Sequence, residues 1–220
     1  MIEQVLKPKN LYKAYRQVVR NKGAAGIDHM KVGELLSYLD NNRNPIINMV
    51  ANCAYVPDPI LGVEIPKSNG KTRLLGIPTV VDRWLQQAVS QVLSSKFELG
   101  FEEHSYGFRP NKNIHKAVSQ SLKYINDGFQ DIVDIDLKGF FDQVDHSILL
   151  QLIYKKVKCP YTLRLIRKWL RAPIQINGKL HKRGKRAERE ENVQWTFLAN
   201  EPASGWEREA RSVHYCPTSY

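Results

Sequence analysis

The sequence predicts a mixed α+β fold in which helices predominate, and three observations carry that prediction. Apolar residues recur at helical spacing in several separate stretches. A run rich in Val, Ile and Leu doubles back across an Asn-Gly turn. One later segment alternates apolar and acidic residues as a half-covered strand does.

In chain order, Leu11, Ala14, Tyr15, Val18 and Val19 place one apolar face on a helix from Asn10 to Arg20, and Asn21-Lys22-Gly23 supplies its stop. The outer face is basic and includes Arg16 and Arg20. A second, short amphipathic stretch spans Glu34 to Leu39, after which Pro57 and Pro59 break the chain. Leu61 to Ile77 reads as a hairpin, with Val63 and Ile65 before the turn Ser68-Asn69-Gly70 and Leu74, Leu75 and Ile77 after it. Asp82 is the expected cap of a helix carrying Leu85, Ala88, Val89, Val92 and Leu93. Asn113 is the expected cap of another, carrying Ile114, Ala117, Val118, Leu122 and Ile125 and ending at Asp127-Gly128.

Ile132 to Leu137 then alternates, with Val133, Ile135 and Leu137 on one face and Ile132, Asp134 and Asp136 on the other, which predicts a strand covered on one side. Asp145 opens a helix through Ile148, Leu149, Leu152 and Ile153, and Leu163, Ile166, Trp169 and Leu170 mark one more after Pro160. Beyond about Gly184 no apolar repeat persists, so the chain divides into residues 1–183 and a tail, 184–220, of unassigned structure.

Charge is the strongest compositional signal: 33 Lys and Arg against 22 Asp and Glu give +11. From Gln151 to Ala187 there is no acid, while Lys155, Lys156, Lys158, Arg164, Arg167, Lys168 and Arg171 fall in the same stretch. A local field of that sign favours a polyanion, and the interleaved Tyr154, Tyr161 and Trp169 offer stacking or packing surfaces, so nucleic acid is the expected partner. The apolar runs are too short to cross a bilayer and the start lacks a signal-peptide pattern, which points to a cytoplasmic protein without a membrane partner. Cys53, Cys159 and Cys216 form no CxxC pair, and no His pair has zinc-ligand spacing. The thiols are expected to be buried or idle.

Asp136-Leu137-Lys138-Gly139-Phe140-Phe141-Asp142 sets a carboxylate at the end of the expected strand, followed by a bend and two aromatics. Hard Mg²⁺ takes oxygen ligands of that kind, and two such ions held close stabilise both the attacking and the leaving oxygens of a phosphoryl transfer. Taken alone, one Asp ending a strand is more often an ordinary solvated terminus than a ligand.

The segment from Asp134 to His146 resembles the first catalytic motif of group II intron reverse transcriptases. His104-Ser105-Tyr106-Gly107-Phe108-Arg109-Pro110, Ile65-Pro66-Lys67 through Thr72 to Pro78, and Gly26-Ile27-Asp28 resemble three further blocks of that family, in family order. The resemblance implies the fingers and partial palm of a right-hand polymerase that copies intron RNA into DNA from a DNA primer, using dNTPs and Mg²⁺. It also implies residue roles. Asp136 matches the aspartate that binds both metal ions, with the Leu137 carbonyl as a further ligand. Lys67 and Arg73 match the residues that grip the triphosphate, and Arg suits phosphate because its planar fork bonds two oxygens. Phe141 matches the residue that crowds the sugar 2′ position, with core packing as the alternative. Tyr106, Gly107, Phe108 and Arg109 read as a template and nucleotide-pocket segment, with packing equally open for the aromatics. Arg16, Arg20, Lys155, Lys156, Arg167 and Lys168 are the expected RNA contacts.

The family pattern continues with a Pro-Gln-Gly block and a hairpin bearing two adjacent aspartates, neither of which is present, and no aspartate follows Asp145. Two readings follow: the front portion of a reverse transcriptase that is inactive by itself, or a maturase-like RNA-binding remnant without chemistry.

Overall fold

A computed structural model describes residues 1–66, 70, 72–135 and 144–182. Helix α1 spans Ile2–Val5 and α2 spans Pro8–Asn21, the latter burying Leu11, Ala14 and Val18. Proline at the first position of α2 costs nothing, since its missing N–H would be an orphan there. Lys22 ends the helix in the left-handed region at φ 47°. Arg16 and Arg20 stand on its exposed face, as expected.

The second amphipathic stretch is longer than expected. After a 3-10 turn over Val32–Glu34, α3 runs from Leu35 to Ala51 through Pro45. The polar run Asp40 to Asn44 and the proline hide it in the sequence, yet Leu35, Leu39, Ile46 and Val50 keep one helical face buried across both.

The hairpin is present as β1 (Ile60–Pro66) and β2 (Thr72–Ile77), antiparallel with Leu61 opposite Ile77 and Ile65 opposite Arg73. Helix α4 (Val80–Phe97) follows at once. Its cap is Thr79, whose side chain accepts from the Asp82 N–H, so the expectation that Asp82 caps it is corrected: Asp82 sits at the third helical position and is buried. Helix α5 (Ile114–Asn126) is capped by Asn113 and ends at Asp127, with Gly128 at φ 99°, as expected.

No strand forms over the described part of the expected Ile132 to Leu137 segment: Ile132 to Ile135 have no regular structure, and Val133 and Ile135 are 69% and 71% exposed. A strand needs a neighbour for its N–H and C=O groups, and the four strands of the described residues pair elsewhere. Helix α6 (His146–Val157) begins at Asp145, which accepts from the N–H groups of Ser147 and Ile148 at 2.7 and 3.0 Å. Helix α7 (Pro160–Leu170) follows.

Two strands were not anticipated. β3 (Ile174–Ile176) and β4 (Lys179–His181) form a hairpin across Asn177 and Gly178, at φ 48° and 78°. β3 lies parallel to β1, giving the order β2-β1-β3-β4. The result is a helix-rich α+β architecture, as the sequence predicts.

The main core centres on α4. Trp84, Leu85, Ala88 and Val89 meet Leu11 and Val18 of α2, Leu35 and Val50 of α3, Leu150 of α6, and Ile166 and Trp169 of α7. Each large side chain so removed from water contributes about 1.5–3 kcal/mol. The Trp84 indole N–H is satisfied by the Leu11 carbonyl at 3.0 Å. A smaller cluster of Ile60, Leu74, Ala172 and Ile174 lies beneath the sheet. No helix among the described residues is long and apolar enough to cross a membrane.

Candidate functional site

The hairpin that carries Arg73 emerges from a polar joint built on Asp82. The carboxylate of Asp82 is buried and accepts four hydrogen bonds. Oδ1 takes the Tyr55 hydroxyl and the Trp169 indole N–H, each at 2.8 Å, and Oδ2 takes the Thr79 hydroxyl at 3.0 Å and the Asp58 N–H at 3.1 Å. Burial pushes the Asp82 carboxyl above its usual range, while the donors of Trp169, Tyr55, Thr79 and Asp58 pull the other way. Burial, then the Asp82 charge, raises Tyr55 strongly. The joint ties the segment entering β1, the segment leaving β2 and helix α7 to one side chain. Sequence reasoning missed it, although Thr79-Val80-Val81-Asp82 carries the signal: a hydroxyl followed three residues on by an acid is the reciprocal capping pattern.

The Gly26 block packs onto the same corner. A Cβ at Gly26 would lie 2.7 Å from the Thr79 Cα and 2.9 Å from the Pro78 carbonyl oxygen, so only glycine lets the two segments approach. Arg83 of α4 donates to the Ala24 carbonyl at 2.6 Å, and burial lowers its pKa while Asp28 raises it. Between Ile27, His29, β1 and the Asn177-Gly178 turn lies a groove of about 740 Å³. Arg73 is half-buried on the face of β2 opposite Leu74.

The His104 to Pro110 block is held by Arg109. Its guanidinium donates to Glu98 at 2.9 and 3.1 Å and to the carbonyls of Ser105 and Glu102, and lies 5.2 Å from the centre of the Phe101 ring. Tyr106 has the Lys112 ammonium 4.8 Å from its ring centre, Gly107 is exposed, and Phe108 is 61% exposed. Three family-like blocks are thus anchored on the two ends of α4.

The expected RNA contacts divide. Arg16, Arg20, Lys155 and Arg167 are exposed. Lys156 is exposed too, with its ammonium 5.0 Å from the centre of the Phe97 ring. Lys168 instead donates to the carbonyls of Cys53 and Tyr55 at 2.7 and 2.6 Å, just beyond the C-terminus of α3, where a cation also opposes the helix dipole. Lys67, Asp136, Leu137 and Phe141 lie outside the described residues. Among the described residues no three His, Cys, Asp or Glu side chains gather to hold a metal ion.

Residues 65–194 match the family described as "Reverse transcriptase (RNA-dependent DNA polymerase)". The chain belongs to the reverse transcriptase family. Among its relatives, the group II intron-encoded protein LtrA of Lactococcus lactis subsp. cremoris is 36% identical over 182 residues, which cover 81% of this chain and 30% of that protein. Protein YkfC of Escherichia coli K12 is 29% identical over 178 residues, covering 78% and 47%. A putative COX1/OXI3 intron 1 protein of Saccharomyces cerevisiae is 26% identical over 174 residues, covering 77% and 20%. This reverse transcriptase chain therefore spans less than half the length of each. A chain of the solved "Partial Cas6-RT-Cas1--Cas2 complex" shares the fold, with a TM-score of 0.53 at 18% identity over 81% of this chain and 29% of that one.

Proposed function

We propose that this chain is the fingers and partial palm portion of an RNA-directed DNA polymerase of the group II intron type, acting in the cytoplasm. When complete, such a polymerase copies intron RNA into DNA from a DNA primer with dNTPs. The observation that carries the reading is the family match from residue 65 to residue 194. It takes in the Arg73 hairpin, the Arg109 clamp and Asp136 in one run.

In this reading Lys67 and Arg73 hold the triphosphate, their charges opposing the phosphate oxygens and the Arg fork bonding two of them. Phe141 closes the space beside C2′, so a ribose hydroxyl clashes. Tyr106, Gly107, Phe108 and Arg109 shape the template side, with Arg109 fixing the loop. Asp136 and the Leu137 carbonyl are hard oxygen donors and would hold Mg²⁺. Bound there, Mg²⁺ supplies positive charge to the phosphoryl oxygens and lowers the pKa of the primer hydroxyl. The 220 residues contain no aspartate after Asp145, so this chain by itself is expected to extend no primer.

Primer extension on an RNA template tests the reading. A chimera in which residues 1–182 replace the matched region of the lactococcal relative should synthesise DNA. Asp136→Ala in it should abolish synthesis, and Phe141→Ala should raise ribonucleotide incorporation relative to deoxynucleotide. A chimera that folds and binds RNA yet extends no primer sinks the proposal.

A second reading, RNA binding without chemistry, is favoured by the acid-free run from Gln151 to Ala187. Counterion release gives such a surface a binding constant that falls with salt, with a slope of about −0.7 to −0.9 per phosphate contacted. A flat salt response would count against it.

A further inference from the structure

We propose that the junction of α6 and α7 binds unpaired RNA, stacking bases on the rings of Tyr154 and Tyr161 while the surrounding cations hold the backbone. This rests on the reading of the chain as an RNA-binding protein and narrows it to one form of RNA.

Tyr154 stands in the last turn of α6 and Tyr161 in the first turn of α7. Only Lys158 and Cys159 separate the two helices, so both rings lie at the same end of the pair. They are 49% and 50% exposed. Neither ring pairs with another aromatic ring or a cation of the described residues, and neither hydroxyl has a hydrogen-bond partner among them. Tyr12 and Tyr15 of α2 differ in this respect, since they stack on each other at 6.2 Å. An aromatic ring half out of water, with no partner of its own, is a surface on which a flat apolar face gains by stacking.

The neighbours say which flat face. Lys155, Lys158, Arg164 and Arg167 are exposed, and none makes an ion pair with a described residue. Lys158, at φ 48°, turns the chain between the helices. Arg164 follows Tyr161 by three residues, which puts the two side chains on one helical face, and both line a small depression beside Cys53. No carboxylate occurs on α7, and on α6 the residues from Gln151 onward have none. A polyanion that also carries aromatic faces fits that combination, and single-stranded nucleic acid has both. A duplex does not fit equally: its base faces are occupied by its own stack, and its deep, narrow major groove shuts out side chains.

Filter binding of the full chain to three RNA probes of equal length decides the matter: an unstructured oligo(U), the same backbone made abasic, and a duplex. The oligo(U) should bind more tightly than the abasic strand. Substituting both tyrosines, Tyr154→Ala with Tyr161→Ala, should weaken oligo(U) binding by about tenfold or more. It should leave duplex and abasic affinity and the salt slope unchanged, and Tyr→Phe at both sites should restore binding. Circular dichroism confirms that the variants fold. Equal affinity for oligo(U) and abasic strand, or no loss in the double Ala variant, overturns the proposal. If Lys155→Glu with Arg167→Glu weakens all three probes while the tyrosines prove silent, the inference fails and the RNA-binding reading stands. If no probe binds, both fall and the face is one for another class of partner.

Discussion

The indole N–H of Trp169 donates to the Asp82 carboxylate at 2.8 Å, joining the last turn of α7 to the first turn of α4 across 87 residues of sequence. The same oxygen takes the Tyr55 hydroxyl. The basic helix and the hairpin bearing Arg73 are therefore fixed relative to each other through one buried carboxyl group. A polar group so buried is tolerable only while its hydrogen-bond partners stay in place.

Asp82→Ala leaves four donors facing a void. A buried donor left unsatisfied costs about 1–3 kcal/mol, so the loss should be at least about 3 kcal/mol for the set. Asp82→Asn should lose nearly as much, because the amide nitrogen points N–H groups at groups that themselves donate. Trp169→Phe keeps an aromatic side chain but removes the donor and part of the buried volume, so it should cost about 1.5–3 kcal/mol for the hydrogen bond, with a cavity term added. Urea unfolding measures all three. Wild-type stability in Asp82→Asn would show that the carboxylate is not the keystone described.

Lys168 and Arg167 are neighbours in sequence and differ in what holds them. Lys168 is bonded to two carbonyls and Arg167 is exposed. Lys168→Ala should therefore lower stability by about 1–3 kcal/mol, the cost of leaving polar groups unsatisfied, with little change in the salt slope of RNA binding. Arg167→Ala should lower the slope by about one contact and leave the unfolding midpoint unchanged. The reverse pattern would return Lys168 to the RNA surface, where charge reasoning alone puts it.

That pair shows what the sequence could and could not carry. Periodicity and turn chemistry are local, and they locate α2, the β1–β2 hairpin and the capped starts of α5 and α6. Lys168 reads as one more cation in a basic run because its carbonyl partners lie more than a hundred residues earlier. Asp82 reads as a cap because the donors that bury it come from three other segments. The Ile132 to Leu137 alternation is real as a pattern, but pairing is a property of two strands and not of one. The β3–β4 hairpin, by contrast, was legible: Asn177-Gly178 is the same turn signal that found the first hairpin.

Asp145 makes stability depend on acid pH. The backbone N–H groups of Ile148 and Ser147 hold its carboxyl below the usual carboxylate range. A folded-state pKa lower than the unfolded one contributes stability that is fully present above the unfolded value of about 3.9 and is lost as pH falls through the folded one. Asp145→Asn still caps the helix but does not titrate there. Relative to wild type, its unfolding midpoint should gain as pH falls below about 4. Parallel pH profiles for the two proteins would remove the cap from the account.

Gly26 and Gly33 make the last comparison, because they differ in what a methyl group would meet. At Gly26 the nearest atoms are backbone: the Thr79 Cα at 2.7 Å, the Thr79 nitrogen at 2.8 Å and the Pro78 oxygen at 2.9 Å. A flexible side chain could turn aside, but these atoms begin α4 and are held by the Asp82 joint, so the loop from Gly23 to Asp28 must lift instead. Gly26→Ala should cost about 1–3 kcal/mol, the usual penalty of overpacking. It should also detach the Ala24 carbonyl from Arg83, leaving a half-buried guanidinium without that acceptor. Gly33 has nothing within 4 Å, so Gly33→Ala should be neutral, or stabilise by about 0.4–1 kcal/mol through the unfolded chain. Because Ile27 and His29 wall the groove against β1, the Gly26 variant should also expose the amides of Leu61 to Glu64 to faster hydrogen exchange, while Gly33→Ala leaves them protected. Equal stability and equal exchange in the two variants would mean that the Gly26 block is not seated on Thr79.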